Sequence, residues 1–198
     1  MTDTHLNDLI GSRICHDLIS PLGAISNGME LLSMSGVGGS PELTLISESI
    51  ENANARIRFF RVAFGAAAPG SLLGNSEIRS ILADMYRGSR TKVDWRLVND
   101  PSRSEAKLAF LLLLCLESAL PWGGRLTVSQ SGSGRWTLSA TGERQKIDRN
   151  LWELLSNPLS ETQVTPSEVH FALASKAAAR LRRTVTTHNE PKAIRVSF

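Results

Sequence analysis

The N-terminal third of the chain carries a single apolar stripe that restricts it to long helices. Between residues 3 and 34, apolar side chains recur at alternating spacings of three and four, which is the spacing of one face of an α-helix. These side chains are Ile14, Leu18, Leu22, Ile25, Met29 and Leu32. The pattern predicts one helix over residues 3–34 whose apolar face needs a partner.

A second helix with the same alternation is predicted after a glycine-rich loop. Ser40 is a favourable N-cap and Pro41 a favourable first-turn residue, so we expect this helix to begin there and to continue to Phe64. Two long helices joined by a short loop form an antiparallel hairpin. Because a lone hairpin cannot enclose so much apolar surface, we expect a homodimer in which two hairpins form a four-helix bundle. The alternative is a hairpin covered by the C-terminal half of the same chain.

The rest of the chain alternates between helical and strand patterns. The helix predicted over residues 104–120 is apolar on nearly every side, which indicates that it is buried. The other expected elements are helices at 77–87, 148–155 and 166–182 and strands at 92–98, 125–131, 135–141, 183–188 and 193–198. This order predicts an α+β sandwich with helices over one face of a sheet. The expected domains are a hairpin at 1–66, a linker at 67–75 and the sandwich at 76–198.

Composition excludes several classes of protein. The 198 residues include 22 Lys and Arg against 19 Asp and Glu, a net charge of +3 without a dense basic block, so we expect no nucleic-acid partner. Two cysteines cannot build a disulfide framework or a cysteine-based zinc site. The longest apolar run, 108–116, is far shorter than the ~20 residues that cross a bilayer. The N-terminus lacks the pattern of a secretory signal. We therefore expect a cytoplasmic protein with no membrane partner.

His16 is the residue that most clearly points to chemistry. At ~100° per residue it lies about 160° from Leu18, so it points away from the apolar stripe. It shares its face with the small or polar residues Ser20, Gly23 and Asn27. Periodicity alone favours a surface histidine that has no function.

One stretch around this histidine resembles a known motif. It reads Ile14-Cys15-His16-Asp17-Leu18-Ile19-Ser20-Pro21-Leu22. This resembles the phospho-acceptor box of sensor histidine kinases, in which His is followed by an acid, two residues, a small polar residue, Pro and Leu. Continued to Leu32, the stretch more closely resembles the ChpT-type histidine phosphotransferases, and the resemblance extends over essentially the whole chain. It implies an acceptor hairpin followed by an α+β sandwich similar to a degenerate histidine-kinase ATPase domain.

The second half lacks the residues with which such kinases hold nucleotide. Kinases carry an asparagine on the buried helix, and the corresponding stretch 114–120 contains none. They also carry an Asp-x-Gly-x-Gly motif after the following strands, where 138–144 has one glycine and no aspartate. The resemblance therefore implies a domain without a nucleotide site. We expect no cofactor on this chain and Mg²⁺ on its receiver partner.

The resemblance implies a phosphoryl relay through His16. The phosphoryl group would come from the receiver aspartate of a hybrid histidine kinase and pass to the aspartate of response-regulator receiver domains, without ATP. For ChpT-like proteins it implies CtrA-like and CpdR-like regulators downstream. We expect Asp17 to orient the imidazole, Ser20 to bind phosphoryl oxygens and Arg13 to offset their charge. The expected docking residues are Ile19, Gly23, Asn27, Arg56, Phe59 and Phe60.

Other functions are compatible with the same sequence. A divergent ATP-dependent histidine kinase would bind nucleotide and phosphorylate itself. A receiver phosphatase would release free phosphate, with Ser20 or Asn27 positioning water. A non-catalytic dimeric adaptor would bind receivers without needing His16.

Overall fold

The structure, a computed structural model, describes residues 3–34, 40–157 and 162–198. It divides into two compact units, residues 1–66 and 67–198. The first unit is helical, and the second combines helices with one sheet. The α+β class predicted from the sequence is confirmed.

The first unit is a hairpin of two long helices, α1 (Asp3–Leu32) and α2 (Pro41–Ala63). The α1 helix continues through Pro21. The start of α2 is set by Ser40, whose hydroxyl accepts a hydrogen bond from the Leu43 amide at 3.3 Å, and by Pro41, which fits the first turn. The predicted start of this helix is therefore confirmed.

Close contacts fix the register of the hairpin. The Ser12 hydroxyl accepts a hydrogen bond from the Ala66 amide at 2.9 Å, and the Asn54 side-chain amide donates to the Ser26 hydroxyl at 3.3 Å. A Cβ atom at Gly11 would lie 2.8 Å from the Phe64 carbonyl oxygen, so the close approach of the helices requires glycine there. The two helices are therefore antiparallel, and residue numbers in contact add up to about 78 to 80 (12 + 66 and 26 + 54).

The predicted apolar stripe of α1 is divided between two directions. Leu22 and Met29 are half-buried. They lie on the same side of α1 as Cys15, which is buried, and Ile19, which is half-buried. The other members stay exposed, with 44–54% of their surface accessible: Ile14, Leu18, Ile25 and Leu32. The face toward α2 is thus rotated from the centre of the stripe, because small residues such as Gly11 and Ser12 allow the closest approach. A row of apolar side chains is left open along the hairpin.

In the residues that the structure describes, the second unit contains one five-stranded sheet, four helices and one 3₁₀ turn. The chain order is α3 (Asn75–Met85), β1 (Thr91–Trp95), α4 (Arg103–Ser118), β2 (Gly124–Gln130), β3 (Trp136–Thr141), α5 (Arg149–Ser156), a 3₁₀ turn (Pro166–Glu168), α6 (Val169–Arg180), β4 (Thr186–Glu190) and β5 (Ala193–Ser197). The strand order is β1-β2-β3-β5-β4, with β1 parallel to β2 and the other pairs antiparallel. The sheet packs against α4, which in turn packs against α6.

The core of this unit lies between the sheet and α4. Alternate side chains of the strands are buried, as half-buried antiparallel strands require. The rings of Trp95 and Phe110 lie 6.2 Å apart, those of Trp95 and Trp136 5.6 Å, and those of Trp136 and Phe198 5.3 Å. The prediction that residues 104–120 form a buried helix is confirmed, since α4 is buried on most of its surface. None of the described helices is long and apolar enough to cross a membrane.

The predicted strand at 183–188 is wrong by three residues at its start. The end of α6 uses these residues instead: the amides of Arg182 and Arg183 donate to the carbonyls of Ala179 and Ala178, at 3.0 and 2.9 Å. Arg182 takes a positive φ of 53°, as a residue just beyond a helix end often does. The strand β4 therefore begins at Thr186, and Pro191 and Lys192 form the turn to β5.

Candidate functional site

His16 lies in the middle of α1 with its side chain open to solvent. The side chain is 81% accessible. Ser20 and Asn27, one and three turns further along, are also exposed, and nothing lies within 4 Å of the position that a Cβ atom of Gly23 would occupy. Small and polar side chains thus leave the space beside the imidazole free on this face. Another protein could approach the imidazole from the side of the helix.

Asp17 holds the imidazole in place from the next position along the chain. The Nδ1 atom of His16 lies 3.2 Å from Oδ1 of Asp17. The second carboxylate oxygen of Asp17, Oδ2, accepts a hydrogen bond from Nε of Arg13 at 2.7 Å. Since Arg13 and Asp17 are four residues apart on a helix, they lie on neighbouring turns. Three predicted site residues are therefore connected, His16 to Asp17 to Arg13.

The charge state of Asp17 determines which imidazole nitrogen is free. Hydrogen bonds from His16 and then from Arg13 lower the pKa of Asp17, so its carboxylate stays ionised and can only accept. The proton between the two side chains must therefore be on Nδ1 of His16, which leaves a lone pair on Nε2 of the neutral ring. The arrangement presents Nε2 as a nucleophile.

The hairpin register shows which residues of α2 lie level with His16. The contacts of Ser12 and Ser26 with α2 put His16 level with residues 62–64. Arg56, which is exposed, lies six to eight residues below that level, about 10 Å along the helix axis.

Arg61 is near this level, and the sequence analysis did not identify it. Burial raises the pKa of the Cys15 thiol, and the positive charge of Arg61 partly offsets this shift, so Arg61 lies close to the residue before His16. Only the register of the hairpin could have indicated this basic residue.

Three predicted docking residues are less accessible than expected. Phe59 is fully buried at 0% exposure, with its ring 6.2 Å from that of Phe60, so the prediction that it docks a partner is wrong. It is a core residue because it lies on the face of α2 that packs inward, next to Val62 and Ala63. Ile19 is half-buried on the side of α1 that carries Cys15, and Phe60 is half-buried as well.

Residues 114–120 are the stretch that corresponds, by the sequence resemblance, to the asparagine-bearing part of the kinase helix. Their side chains form hydrogen bonds inside the second unit. Near the end of α4, a carboxylate oxygen of Glu117 accepts a hydrogen bond from the Tyr86 hydroxyl at 3.0 Å, and the Ser118 hydroxyl donates to the Cys115 carbonyl at 2.8 Å. These side chains are engaged within the protein. In the ranges that the structure describes, no group of three or more His, Cys, Asp or Glu side chains is arranged to hold a metal ion.

Known proteins are similar to this chain over most of its length. The model of the family described as "Histidine phosphotransferase C-terminal domain" matches residues 75–193. The protein phosphotransferase ChpT of Brucella abortus (strain 2308) is 34% identical over 188 residues, which cover 89% of this chain and 88% of that protein. A solved bacterial phosphotransferase superposes with a TM-score of 0.72 at 30% identity, covering 100% of this chain and 97% of the other.

A more distant similarity involves a kinase. The histidine kinase domain of the blue-light activated kinase from Erythrobacter litoralis EL346 has a TM-score of 0.48 and 14% identity, covering 94% of this chain and 90% of that one. The family match covers more than half of the chain, and the similarity to ChpT extends over most of both proteins. The chain is therefore a phosphotransferase enzyme and belongs to the histidine phosphotransferase family.

Proposed function

We propose that this phosphotransferase relays a phosphoryl group through His16 between the aspartates of two receiver domains, without ATP. The donor would be the receiver of a hybrid histidine kinase. The acceptors would be response-regulator receivers, of which CtrA-like and CpdR-like regulators are the candidates that the family resemblance implies. The observation that carries the proposal is the exposed imidazole of His16, bound at Nδ1 by an ionised Asp17.

The transfer needs one bond to form and one to break. The lone pair on Nε2 of His16 attacks the phosphorus atom of the donor's aspartyl phosphate, and the bond from phosphorus to the carboxylate oxygen breaks. The donor aspartate leaves as a carboxylate, and the phosphoryl group is then bound to Nε2. The Nδ1 proton stays hydrogen-bonded to Asp17, which stabilises the positive charge that develops on the ring. The reverse of the same step passes the group to the second receiver.

Positioning and charge stabilisation provide most of the catalysis in phosphoryl transfer. The Arg13 guanidinium has five N–H donors, and its bond to Asp17 uses one of them, so others remain for the phosphoryl oxygens. Ser20, one turn beyond His16, is exposed and has a hydroxyl that could donate to the same oxygens. We assign the Mg²⁺ of the reaction to the receiver.

The receiver would dock along the face of α1 that carries His16. Asn27 and Gly23 leave this face polar and open, and Arg56 adds a positive charge on α2 about 10 Å further along the axis. A receiver phosphorylated on aspartate is negatively charged at its active site. Arg13 and Arg56 would therefore attract it and orient it on the hairpin.

We also propose that the active form is a homodimer. The open row of Ile14, Leu18, Ile25 and Leu32 is matched on α2 by the exposed Leu45 and Ile46. Apolar side chains at this spacing favour burial against a second hairpin, which would give a four-helix bundle. Leu18 and His16 point in directions about 160° apart, so dimerisation through this row would leave His16 accessible.

Replacing both Leu18 and Ile25 with glutamate should dissociate the dimer. Two buried carboxylates per hairpin would have to lose their hydration without a partner, so we expect the dimer Kd to rise at least ~100-fold. Light scattering coupled to size-exclusion chromatography over a range of concentrations measures this change. The exposed Asn27, changed to glutamate, is the matched control and should stay dimeric. A monomeric wild type would instead favour a hairpin covered by the chain's own C-terminal half.

Replacing Asp17 with asparagine should slow phosphoryl transfer by ~10–100-fold. The amide is similar in size but carries no charge, so it stabilises a positive ring less, and because it can donate as well as accept it no longer fixes the proton on Nδ1. Rapid-quench measurement of the transfer rate from a phosphorylated receiver tests this expectation. Receiver binding, measured separately, should change little. A transfer rate equal to that of the wild type would show that Asp17 does not orient the imidazole.

The proposed function is tested by mixing the protein with a phosphorylated, radiolabelled receiver domain in the absence of ATP. We expect label on this chain that is stable in base and labile in acid, as phosphohistidine is. Label that enters only from ATP would support the kinase alternative. Rapid release of free phosphate without a labelled protein would support the phosphatase alternative.

A further inference from the structure

Neighbouring strands at one end of the sheet in the second unit carry like charges side by side. In the register of β1 and β2, Lys92 lies next to Arg125, on the face of the sheet opposite to the buried Leu126. Both side chains are exposed, and neither forms an ion pair with a residue that the structure describes. Like charges at adjacent positions on one face of a sheet repel each other and lower its stability. The fold itself gains nothing from this arrangement.

Trp122 is exposed at the same end of the sheet, in the turn between α4 and β2. It keeps 48% of its surface accessible, whereas Trp95, Trp136 and Trp152 are at most 6% exposed. The guanidinium carbon of Arg144 lies 4.6 Å from the centre of the Trp122 ring. A guanidinium stacked in this way keeps its N–H donors in its own plane, where they remain open to an acceptor. The pair thus presents an aromatic surface beside a cation that is held in position.

The turn at Trp122 packs directly against Arg90, just before β1. A Cβ atom at Gly123 would lie 2.6 Å from Cβ of Arg90, and the amide of Gly124 donates a hydrogen bond to the Arg90 carbonyl at 3.3 Å. The fold therefore brings together, from three separate parts of the sequence, four exposed cations without an ion pair to any described residue: Arg90, Lys92, Arg125 and Arg144. We call this surface, the four cations with Trp122, the cationic end of the sheet.

The carboxylates near the cationic end do not neutralise it. A carboxylate oxygen of Glu117 accepts a hydrogen bond from the Tyr86 hydroxyl at 3.0 Å, and Asp94 on β1 is paired with Arg96 at 2.7 Å. Glu143, in the loop after β3, is exposed and forms no ion pair with a described residue. With both Glu117 and Glu143 ionised, four cations still face two carboxylates. The surface is therefore positively charged.

An exposed tryptophan among arginines is typical of the centre of a protein interface. Both residue types are enriched there, and they contribute much of the binding energy when a partner removes them from water. A sheet face that only meets solvent is better stabilised by opposite charges on neighbouring strands. The repelling cations around an exposed ring therefore indicate that a negatively charged partner covers this surface.

We infer that the cationic end of the sheet docks an acidic segment of a protein partner. Arg125 and Arg144 would bind carboxylates of that segment through paired N–H donors, and Trp122 would pack against its backbone and side-chain stems. Single-stranded nucleic acid fits less well, because one ring is present where successive bases need several. A membrane surface fits less well too, because Trp122 is the one large apolar side chain exposed at this end among the described residues.

The test is an NMR titration of the full chain, labelled with ¹⁵N in tryptophan, with an acetylated peptide of four Asp-Glu pairs. We expect the indole N–H signal of Trp122, identified by its loss in Trp122→Phe, to shift while the signals of the three buried tryptophans stay. The Kd should be roughly 0.1 mM at low salt and should rise with added salt. A peptide of four Asn-Gln pairs, equal in length but uncharged, should leave all four signals in place.

Two substitutions at exposed positions test the assigned residues. Arg125→Gln and Arg144→Gln should each raise the Kd about fivefold, whereas Lys176→Gln, which removes an exposed charge on α6, should change it less than twofold. Arg125→Gln should also melt no lower than the wild type, because it relieves the repulsion from Lys92. Weaker binding at unchanged or higher stability is a result that a purely structural role of Arg125 does not give.

Several results would overturn the inference. No shift of the Trp122 signal with the acidic peptide, or an equal loss of binding in Lys176→Gln, would show that only diffuse charge attracts the peptide. A thymidine octanucleotide that shifts the Trp122 signal at tenfold lower concentration would assign the surface to nucleic acid. Co-sedimentation of the chain with phosphatidylserine vesicles, lost in Trp122→Ala, would assign it to a membrane. None of these readouts depends on phosphoryl transfer through His16.

Discussion

Replacing His16 with glutamine is expected to abolish phosphoryl transfer, with a rate at least ~1,000-fold below that of the wild type. Glutamine has a similar size and polarity, but its amide nitrogen has no free lone pair with which to attack phosphorus. The other histidines lie elsewhere in the chain, His5 eleven residues before His16 on α1 and His170 and His188 in the second unit. The rate is measured by rapid quench with a phosphorylated receiver as donor.

The controls for this experiment measure whether the variant still folds and still binds receivers. Because the His16 side chain is 81% accessible, the substitution should leave the melting temperature and the affinity for receivers unchanged. Ser49→Ala, which removes an exposed hydroxyl on α2, serves as a matched surface variant and should transfer at the wild-type rate. If His16→Gln retained its effect on receiver signalling in a reconstituted pathway, the adaptor alternative would be correct and the relay would not.

Replacing Phe59 with alanine should lower the free energy of unfolding by about 3–5 kcal/mol. Phe59 is fully buried in α2, and its removal leaves a cavity that neighbouring side chains fill only in part. A loss of this size is a large part of the stability of a typical domain. Urea unfolding, monitored by circular dichroism, measures the change.

The outcome also separates two roles for Phe59. As a core residue it should affect stability, and receiver binding should be lost only as the folded fraction falls. Arg56→Ala, at an exposed position on the same helix, should change the free energy of unfolding by less than about 0.5 kcal/mol. If Phe59→Ala kept full stability but lost receiver binding, Phe59 would be a docking residue, as the sequence alone had predicted.

Periodicity and capping signals were sufficient to predict most of the elements. The start of α2 could be predicted because Ser40 and Pro41 act locally, through one hydrogen bond and one fixed φ. The buried α4 could be predicted because its apolar residues cover the whole helix. The start of β4 could not be predicted, since it depends on the left-handed conformation of Arg182 at the end of α6. Because this residue is not a glycine, the sequence gives no indication of its positive φ.

The part of the candidate site that lies on α1 could be predicted from the sequence. The residues of α2 that lie beside it could be predicted less well. Helical spacing alone places Arg13 one turn before Asp17, and the acceptor-box resemblance identified His16. The burial of Phe59 and the position of Arg61 depend on the register between α1 and α2. That register is set by the close approach at Gly11 and by the Ser12 and Ser26 hydrogen bonds. Hydrophobic patterns of single helices contain no information about these contacts.

The measurement that tests the relay most directly follows the phosphoryl group from one receiver to another. A phosphorylated donor receiver, this chain and an unphosphorylated second receiver are mixed without ATP, and the products are separated over time. We predict that label leaves the donor, appears on His16 and then accumulates on the second receiver, with mass spectrometry placing the transient modification on His16. Label that reaches the second receiver at the same rate when His16 is replaced by glutamine, or that never appears on His16, would contradict the relay.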